Sequence, residues 1–404
     1  MCTIPAIALK LAAFVFLAVS NITHATDALE IAQILANEPV GESEGSAHIL
    51  ESDKQVGSSE EWNQLLQNDT LGCSAAVPDS YVWRVAGYGS NVNYLLLAWA
   101  NAILEGREDV GIVVNTEKLF PRTTCLLPSN GEETRRGWHC IFAPMPHLCS
   151  FDDREGWDEY NTLRRLSPAE RREASGKGRV IYLRTRIESM AQSAERAGSG
   201  IFELLAMLYE HLTSHHQPWF KADVEAILAE PDIAAVRAGN YVSMHIRRTD
   251  KQIFDRDPFT ATEEYFKRAV DYLSNSTALG GLDATDITGL WLSTDDDVVF
   301  EEVKSLAPQY FPGVKNESVV FVTSRVPVRL LNPATFVDGA VDRNTYEAIV
   351  LLRAEMLMLA GADVFSGTFS SNLGRIVALM RETLGKPRDS ALSSDTEDWF
   401  AGRL

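Results

Sequence analysis

The segment His245-Ile246-Arg247-Arg248-Thr249-Asp250-Lys251 follows directly on the β-branched and aromatic run Tyr241-Val242-Ser243-Met244. A buried parallel strand that runs out into this cluster delivers its charge to the strand's carboxyl end, where open α/β sheets bind ligands. Two arginines, an aspartate and a lysine suit a phosphate there. A guanidinium's planar fork takes two phosphate oxygens at once, whereas an ammonium acts as a point charge. Adjacent strand residues face opposite sides, so Arg247 is expected to meet the ligand while Arg248 braces the loop. The plainer alternative is a solvated turn with surface ion pairs.

Three other places carry chemistry. Leu290-Trp291-Leu292-Ser293-Thr294 ends in Asp295-Asp296-Asp297, where one aspartate is expected to cap the following helix and another to meet a ligand hydroxyl. The triplet also holds an Asp-x-Asp spacing that suits Mn²⁺ and a nucleotide diphosphate, although Arg247 and Lys251 supply positive charge without a cation. Val364-Phe365-Ser366-Gly367-Thr368-Phe369-Ser370-Ser371-Asn372 closes a strand and opens a helix with hydroxyl residues, a ready anion site in which Ser370 or Ser371 doubles as N-cap. Glu355 is the one charge between Ala354 and Ala362. It is either exposed on a narrow polar face or a buried acceptor for a base's N–H donors.

The elements that must position these residues alternate regularly after Asn240. The pattern predicts strands at 241–246, 289–294, 318–323 and 362–367, and helices at 262–274, 297–306, 346–360 and 371–384. Such alternation implies a doubly wound parallel sheet. Upstream, Gly87-Tyr88-Gly89-Ser90-Asn91 leads into an apolar helix, 110–114 reads as a strand, 201–209 as a helix, and Gln217-Pro218-Trp219 opens another helix through Leu228. The adjacent His215 and His216 read as loop residues.

The sequence has 404 residues and a formal charge of −19, with a pI near 4.9. Two α/β domains, 76–235 and 236–404, follow a polar stem at 26–75. No long basic stretch offsets the negative charge, which argues against nucleic acid or an anionic membrane as the main partner. Residues 1–25 read as a secretory address: Lys10 precedes an apolar stretch at 11–19 and a small-residue site at Thr23-His24-Ala25. The segment is short for a bilayer span, so cleavage and a short signal anchor are both open. Beyond Cys2, the four cysteines Cys73, Cys125, Cys140 and Cys149 suggest two disulfides, with Cys140 to Cys149 as a local closure and Cys73 to Cys125 as the other. A zinc site is the rival, without a CxxC spacing to support it. Sequons at Asn21, Asn68, Asn275 and Asn316 agree with passage through the secretory lumen.

His245 to Lys251 resembles the HxRRTDK motif of the α1,6-fucosyltransferase superfamily, which includes chitooligosaccharide fucosyltransferases of bacteria. Gly87-Tyr88-Gly89, Gln217-Pro218-Trp219, Glu263-Glu264-Tyr265, Thr294-Asp295-Asp296 and Thr368-Phe369-Ser370-Ser371 resemble that superfamily's GYG, QPW, EEY, TDD and TFSS, so the likeness runs from about residue 83 to 400. It implies a two-domain GT-B-like glycosyltransferase whose C-terminal Rossmann-like domain binds a GDP-sugar. By carry-over Arg247 takes the phosphates with Lys251 beside it, His245 and Asp296 lie near the nucleoside, Glu355 reads guanine, and Ser371 and Asn372 contact the diphosphate end. Tyr265 lines the same donor site, which Arg248, Asp250, Asp295 and Ser370 complete.

The resemblance implies an inverting, metal-independent transfer of L-fucose from GDP-β-L-fucose to a GlcNAc-containing oligosaccharide, an N-glycan core or a chitin-like chain. No cofactor beyond the donor is implied, and the compartment implied is the secretory lumen, mostly the Golgi. Two departures bear on the acceptor. The superfamily's glutamate four residues beyond the lysine is replaced by Asp255, the expected base, and animal members carry a coiled coil and an SH3 domain where this sequence has a short stem and Leu404. A catalytically inactive glycan- or nucleotide-binding protein on the same fold is the alternative.

Overall fold

The structure, a computed structural model, describes residues 80–81, 88–104, 112–114, 124–126, 134–145, 148–150, 200–248, 260–314, 319–320 and 346–395. The leader, the stem, and the site candidates Asp250, Lys251 and Asp255 lie outside them. All described residues belong to one contact unit, Gln55–Leu404. Its first elements are β1 (Ser80–Tyr81), α1 (Tyr88–Leu104), β2 (Ile112–Val114), β3 (Thr124–Leu126), β4 (Thr134–Arg136) and β5 (Leu148–Ser150). β1, β2 and β5 form a parallel sheet, and β3 pairs antiparallel with β4. Helix α1 buries Val92, Leu95, Leu96, Leu97 and Trp99, as an apolar helix without a wide polar face must.

The cysteine expectation is corrected here. A disulfide joins Cys125 to Cys140, whose Cα atoms stand 5.6 Å apart. The β3–β4 pairing and the 3₁₀ turn Gly137–Cys140 that follows it return Cys140 to Cys125. Cys149 instead sits in β5, in register with Val113 of β2.

Helices α2 (Gly200–Ser214), α3 (Pro218–Leu228) and α4 (Pro231–Arg237) lead into the larger sheet. Gln217 is the N-cap of α3, with Pro218 where its missing N–H costs nothing. Then come β6 (Tyr241–Ile246), α5 (Thr262–Asn275), β7 (Gly289–Thr294), α6 (Asp297–Tyr310), β8 (Val319–Val320), α7 (Tyr346–Gly361), β9 (Val364–Gly367), α8 (Asn372–Thr383) and β10 (Ala391–Ser393). The chain is thus an α/β protein, and β6 and β7 have the expected bounds. Helix α6 runs past Pro308 to Tyr310, four residues beyond the expected end. β10 had no signal in the periodicity.

All five strands are parallel, in the order β10-β9-β6-β7-β8. Strand alternation divides the core between the two faces. Val242, Met244, Ile246, Leu290 and Leu292 meet Phe266 of α5 and Val303 of α6, whereas Trp291 and Phe365 belong to the cluster holding Met358 of α7 and Met380 of α8. Right-handed crossovers explain the division. The chain moves one way from β6 through β7 to β8 and the opposite way from β8 through β9 to β10, so the helix pairs α5–α6 and α7–α8 fall on opposite faces. Helices α1 and α2 join the second cluster through Leu95, Leu96 and Tyr209.

Arg381, fully buried on α8, donates to the carbonyls of Ala360, Ala362 and Asp363 at 2.6–3.0 Å. These close the C-terminus of α7, whose last carbonyls have no acceptor role inside the helix.

Candidate functional site

The strand order reverses at β6. After β8 the chain returns to lay β9 on the other side of β6, so a crevice opens between their carboxyl ends, the place where open α/β sheets take ligands. Arg247 leaves β6 there and turn 368–371 leaves β9. The Arg247 Nη1 donates to Ser371 Oγ at 3.0 Å, and its backbone N–H reaches Thr368 Oγ1 at 3.4 Å. Ser371 is the N-cap residue of α8, yet its hydroxyl makes no cap bond to that helix. An N-cap serine ordinarily accepts from the second or third amide of its helix; this one faces a guanidinium.

Thr368 is the hub of the turn. Its N–H and its hydroxyl both donate to the His245 carbonyl, at 3.1 and 3.0 Å. With that single hydroxyl proton committed, Tyr265 must be the donor in its 2.8 Å bond to Thr368 Oγ1. Burial drives the Tyr265 phenol well above its ordinary pKa and keeps that proton in place. Thr368 thus ties the carbonyl of His245, at the end of β6, to the phenol of Tyr265, buried on α5.

Arg248 is held through both its backbone and its side chain. Its backbone N–H donates to Asp295 Oδ1 at 2.8 Å, and its buried guanidinium grips Glu302 at 2.8 and 3.2 Å and Thr262 Oγ1 at 2.6 Å. The guanidinium bonded to Glu302 holds that carboxyl below its ordinary range. Asp296 caps α6 by accepting from the Val298 N–H at 3.0 Å and lies 3.8 Å from Arg248. Thus Arg248, Asp295 and Asp296 form a latch on the α5–α6 side of β6, the side opposite Arg247. Among the described residues no group of three or more His, Cys, Asp or Glu is arranged to hold a metal ion.

Asn372 opens α8, and its Oδ1 accepts from Asn93 Nδ2 of α1 at 2.9 Å. A Cβ on Gly89 would stand 3.5 Å from the Leu373 nitrogen, so the N-terminal turns of α1 and α8 converge at the crevice. Gly374 is required there, because a Cβ would collide with the Thr368 carbonyl oxygen. Glu355 is buried, which settles the two readings of its position against solvent. It lines a cavity of about 10 Å³ with Trp291, Ala354, Met358, Leu228 and Ile233, room for about one water. Ser370 turns away from the crevice and hydrogen-bonds to Asp395 through both its N–H and its hydroxyl.

The structure therefore brings together Arg247, Ser371 and Asn372, ties the His245 carbonyl and the Tyr265 hydroxyl to the same turn through Thr368, and sets Arg248, Asp295 and Asp296 on the α5–α6 side of β6. Thr262, Glu302, Arg375 and Asp395 were missed by the sequence reading. Each acts on a partner remote in the chain or in another turn, and local pattern gives no sign of such pairings.

No protein-family profile matches the chain, and no curated protein matches it. Among solved structures, the chain is similar to NodZ alpha-1,6-fucosyltransferase soaked with GDP-fucose, at 15% identity and a TM-score of 0.39 over 75% of this chain and 91% of that one. The same protein co-crystallised with GDP gives 12% identity and a TM-score of 0.39, covering 76% and 91%. A mutant of Arabidopsis thaliana FUT1 in complex with GDP gives 13% and 0.40, covering 80% of this chain and 73% of that one. At this distance, functional assignment rests on the residues themselves.

Proposed function

We propose that the chain is a GT-B-like glycosyltransferase that moves L-fucose from GDP-β-L-fucose to a GlcNAc-containing oligosaccharide, with inversion and without a metal. One observation carries the reading: Arg247, from the HxRRTDK-like segment, converges with Ser371 and the N-terminus of α8 at the sheet's switch point. A guanidinium opposite a helix N-terminus whose N-cap hydroxyl is turned outward suits a diphosphate. In this reading His245 lies near the nucleoside and Tyr265 lines the donor site.

In the proposed reaction the acceptor hydroxyl oxygen attacks the anomeric carbon as the bond from that carbon to the β-phosphate oxygen breaks. The electron pair leaves with GDP, and the hydroxyl proton passes to a carboxylate, for which Asp255 is the candidate. Arg247 and Lys251 neutralise the charge that develops on the departing diphosphate. Glu355 is proposed to read the guanine N–H donors, and secretory-lumen residence agrees with the leader and sequons.

The test is release of GDP from GDP-fucose by the purified lumenal protein, with and without chitooligosaccharide and N-glycan acceptors. Acceptor-dependent release supports transfer. Tight GDP binding without turnover would favour the inactive binding protein, and absence of GDP binding would overturn the donor assignment.

A further inference from the structure

The last strand of the sheet delivers a carboxylate to the site. Beyond β10, the Ser394 N–H donates to the Gly367 carbonyl at 2.9 Å and its hydroxyl meets Ser366 Oγ at 2.9 Å, so pairing with β9 continues one residue past the strand. Asp395 follows and grips turn 368–371. Its Oδ1 accepts from the Phe369 N–H at 2.7 Å, and its Oδ2 accepts from the Ser370 N–H at 3.2 Å and from the Ser370 hydroxyl. Buried Arg375 of α8 takes the Phe369 carbonyl through Nε at 2.8 Å, so ionic groups hold both sides of that residue's backbone. Hydrogen bonds to a charged carboxylate are about twice as strong as neutral ones.

Strand order decides what this grip does. β10 flanks β9 on the side away from β6. Asp395 therefore holds the turn from outside, while Arg247 meets it from the crevice. A carboxylate on the crevice side would compete with a phosphate; one on the outer side anchors the turn without meeting the ligand.

We propose that Asp395 is a positioning residue for the donor's diphosphate: it ties down the Phe369 and Ser370 amides so that Ser371 and the first amides of α8 present themselves to the anion opposite Arg247. The inference rests on the diphosphate reading given above. With the amides of 369 and 370 occupied by Asp395, the phosphate is directed to the first turn of α8, residues 372–374.

Three measurements on the full chain test it: calorimetric titration with GDP, initial rates against GDP-fucose and acceptor, and hydrogen exchange of the peptide spanning 365–373. Asp395→Ala should weaken GDP binding by about tenfold or more, the scale of losing one charged hydrogen bond's worth of order in the turn. It should raise the donor KM with the acceptor KM unchanged and speed exchange in that peptide. Asp395→Asn, near-isosteric and safer for folding, should fall between the parent and Asp395→Ala, because one oxygen still accepts. Tighter GDP binding in either variant would overturn the proposal by showing that the carboxylate competes with phosphate. Unchanged GDP affinity and donor KM would overturn it while leaving the donor assignment standing. A parent protein that does not bind GDP would overturn the donor assignment and the role of Asp395 with it.

Discussion

Two adjacent arginines with opposite duties give a prediction that separates folding from chemistry. Arg248 is buried, with two nitrogens on Glu302, one of them also on Thr262. Breaking a buried ion pair costs about 3–5 kcal/mol. The Glu302 side chain is 38% exposed, so water recovers part of that, and Arg248→Ala is expected to cost about 2 kcal/mol of stability. Arg247 is only partly buried, and its side-chain bond to Ser371 is to a neutral hydroxyl. Loss of that bond should cost about 1 kcal/mol in stability, less than loss of the buried Arg248 ion pair. Loss of Arg247's proposed contact with the leaving diphosphate should cost about 3 kcal/mol or more of transition-state stabilisation, roughly 10²-fold in rate. Urea unfolding of both variants, beside kcat/KM for transfer from GDP-fucose, reads the two effects apart. The reasoning fails if Arg247→Ala retains activity within about threefold of the parent, or if it destabilises the fold as much as Arg248→Ala does.

Arg247→Lys should restore little activity, since a point charge cannot reproduce the two-pronged contact; recovery to near the parent rate would reassign the residue. EDTA should leave turnover unchanged if Arg247 and Lys251 supply the positive charge a cation would; inhibition reversed by Mn²⁺ would promote Asp295 and Asp297 to metal ligands. Glu355→Gln should weaken GDP binding by tens-fold, on the scale of about 1.5–3 kcal/mol for charged hydrogen bonds to the base. Equal affinity in calorimetry would reduce Glu355 to a wall of the cavity it shares with Trp291. Burial, with Arg353 and Lys221 adding to it, holds His216 well below its ordinary pKa. The unfolded chain takes up a proton near pH 6.5 that the folded chain refuses, so this contribution is complete above that pH and declines as pH falls through it. His216→Phe, between the rings of Phe142 and Phe220, should flatten the acid side of the stability profile, and an unchanged slope in urea midpoints would refute the assignment.

The local periods of the chain were sufficient for β6, β7 and the helices around them. Val242, Met244 and Ile246 face one way and Ser243 and His245 the other whatever they meet, because side chains alternate along any strand. The same alternation separates Arg247 from Arg248. The aspartates after β7 likewise announced a helix cap, and Asp296 supplies it. A different kind of information decides that Arg248 meets Glu302, 54 positions on, that Cys125 meets Cys140, and that Asp395 reaches the Phe369 amide. These pairings depend on which strands are neighbours, and that order follows from crossover handedness and the burial of two sheet faces at once. Three-residue β10 has no period long enough to read, and its place beside β9 exists only once the sheet has formed. The place of Arg247 at the carboxyl end of β6 was therefore legible in the sequence, whereas its partners became legible only in the fold, since hydrogen bonds between distant segments are fixed by topology and not by the residues next to them.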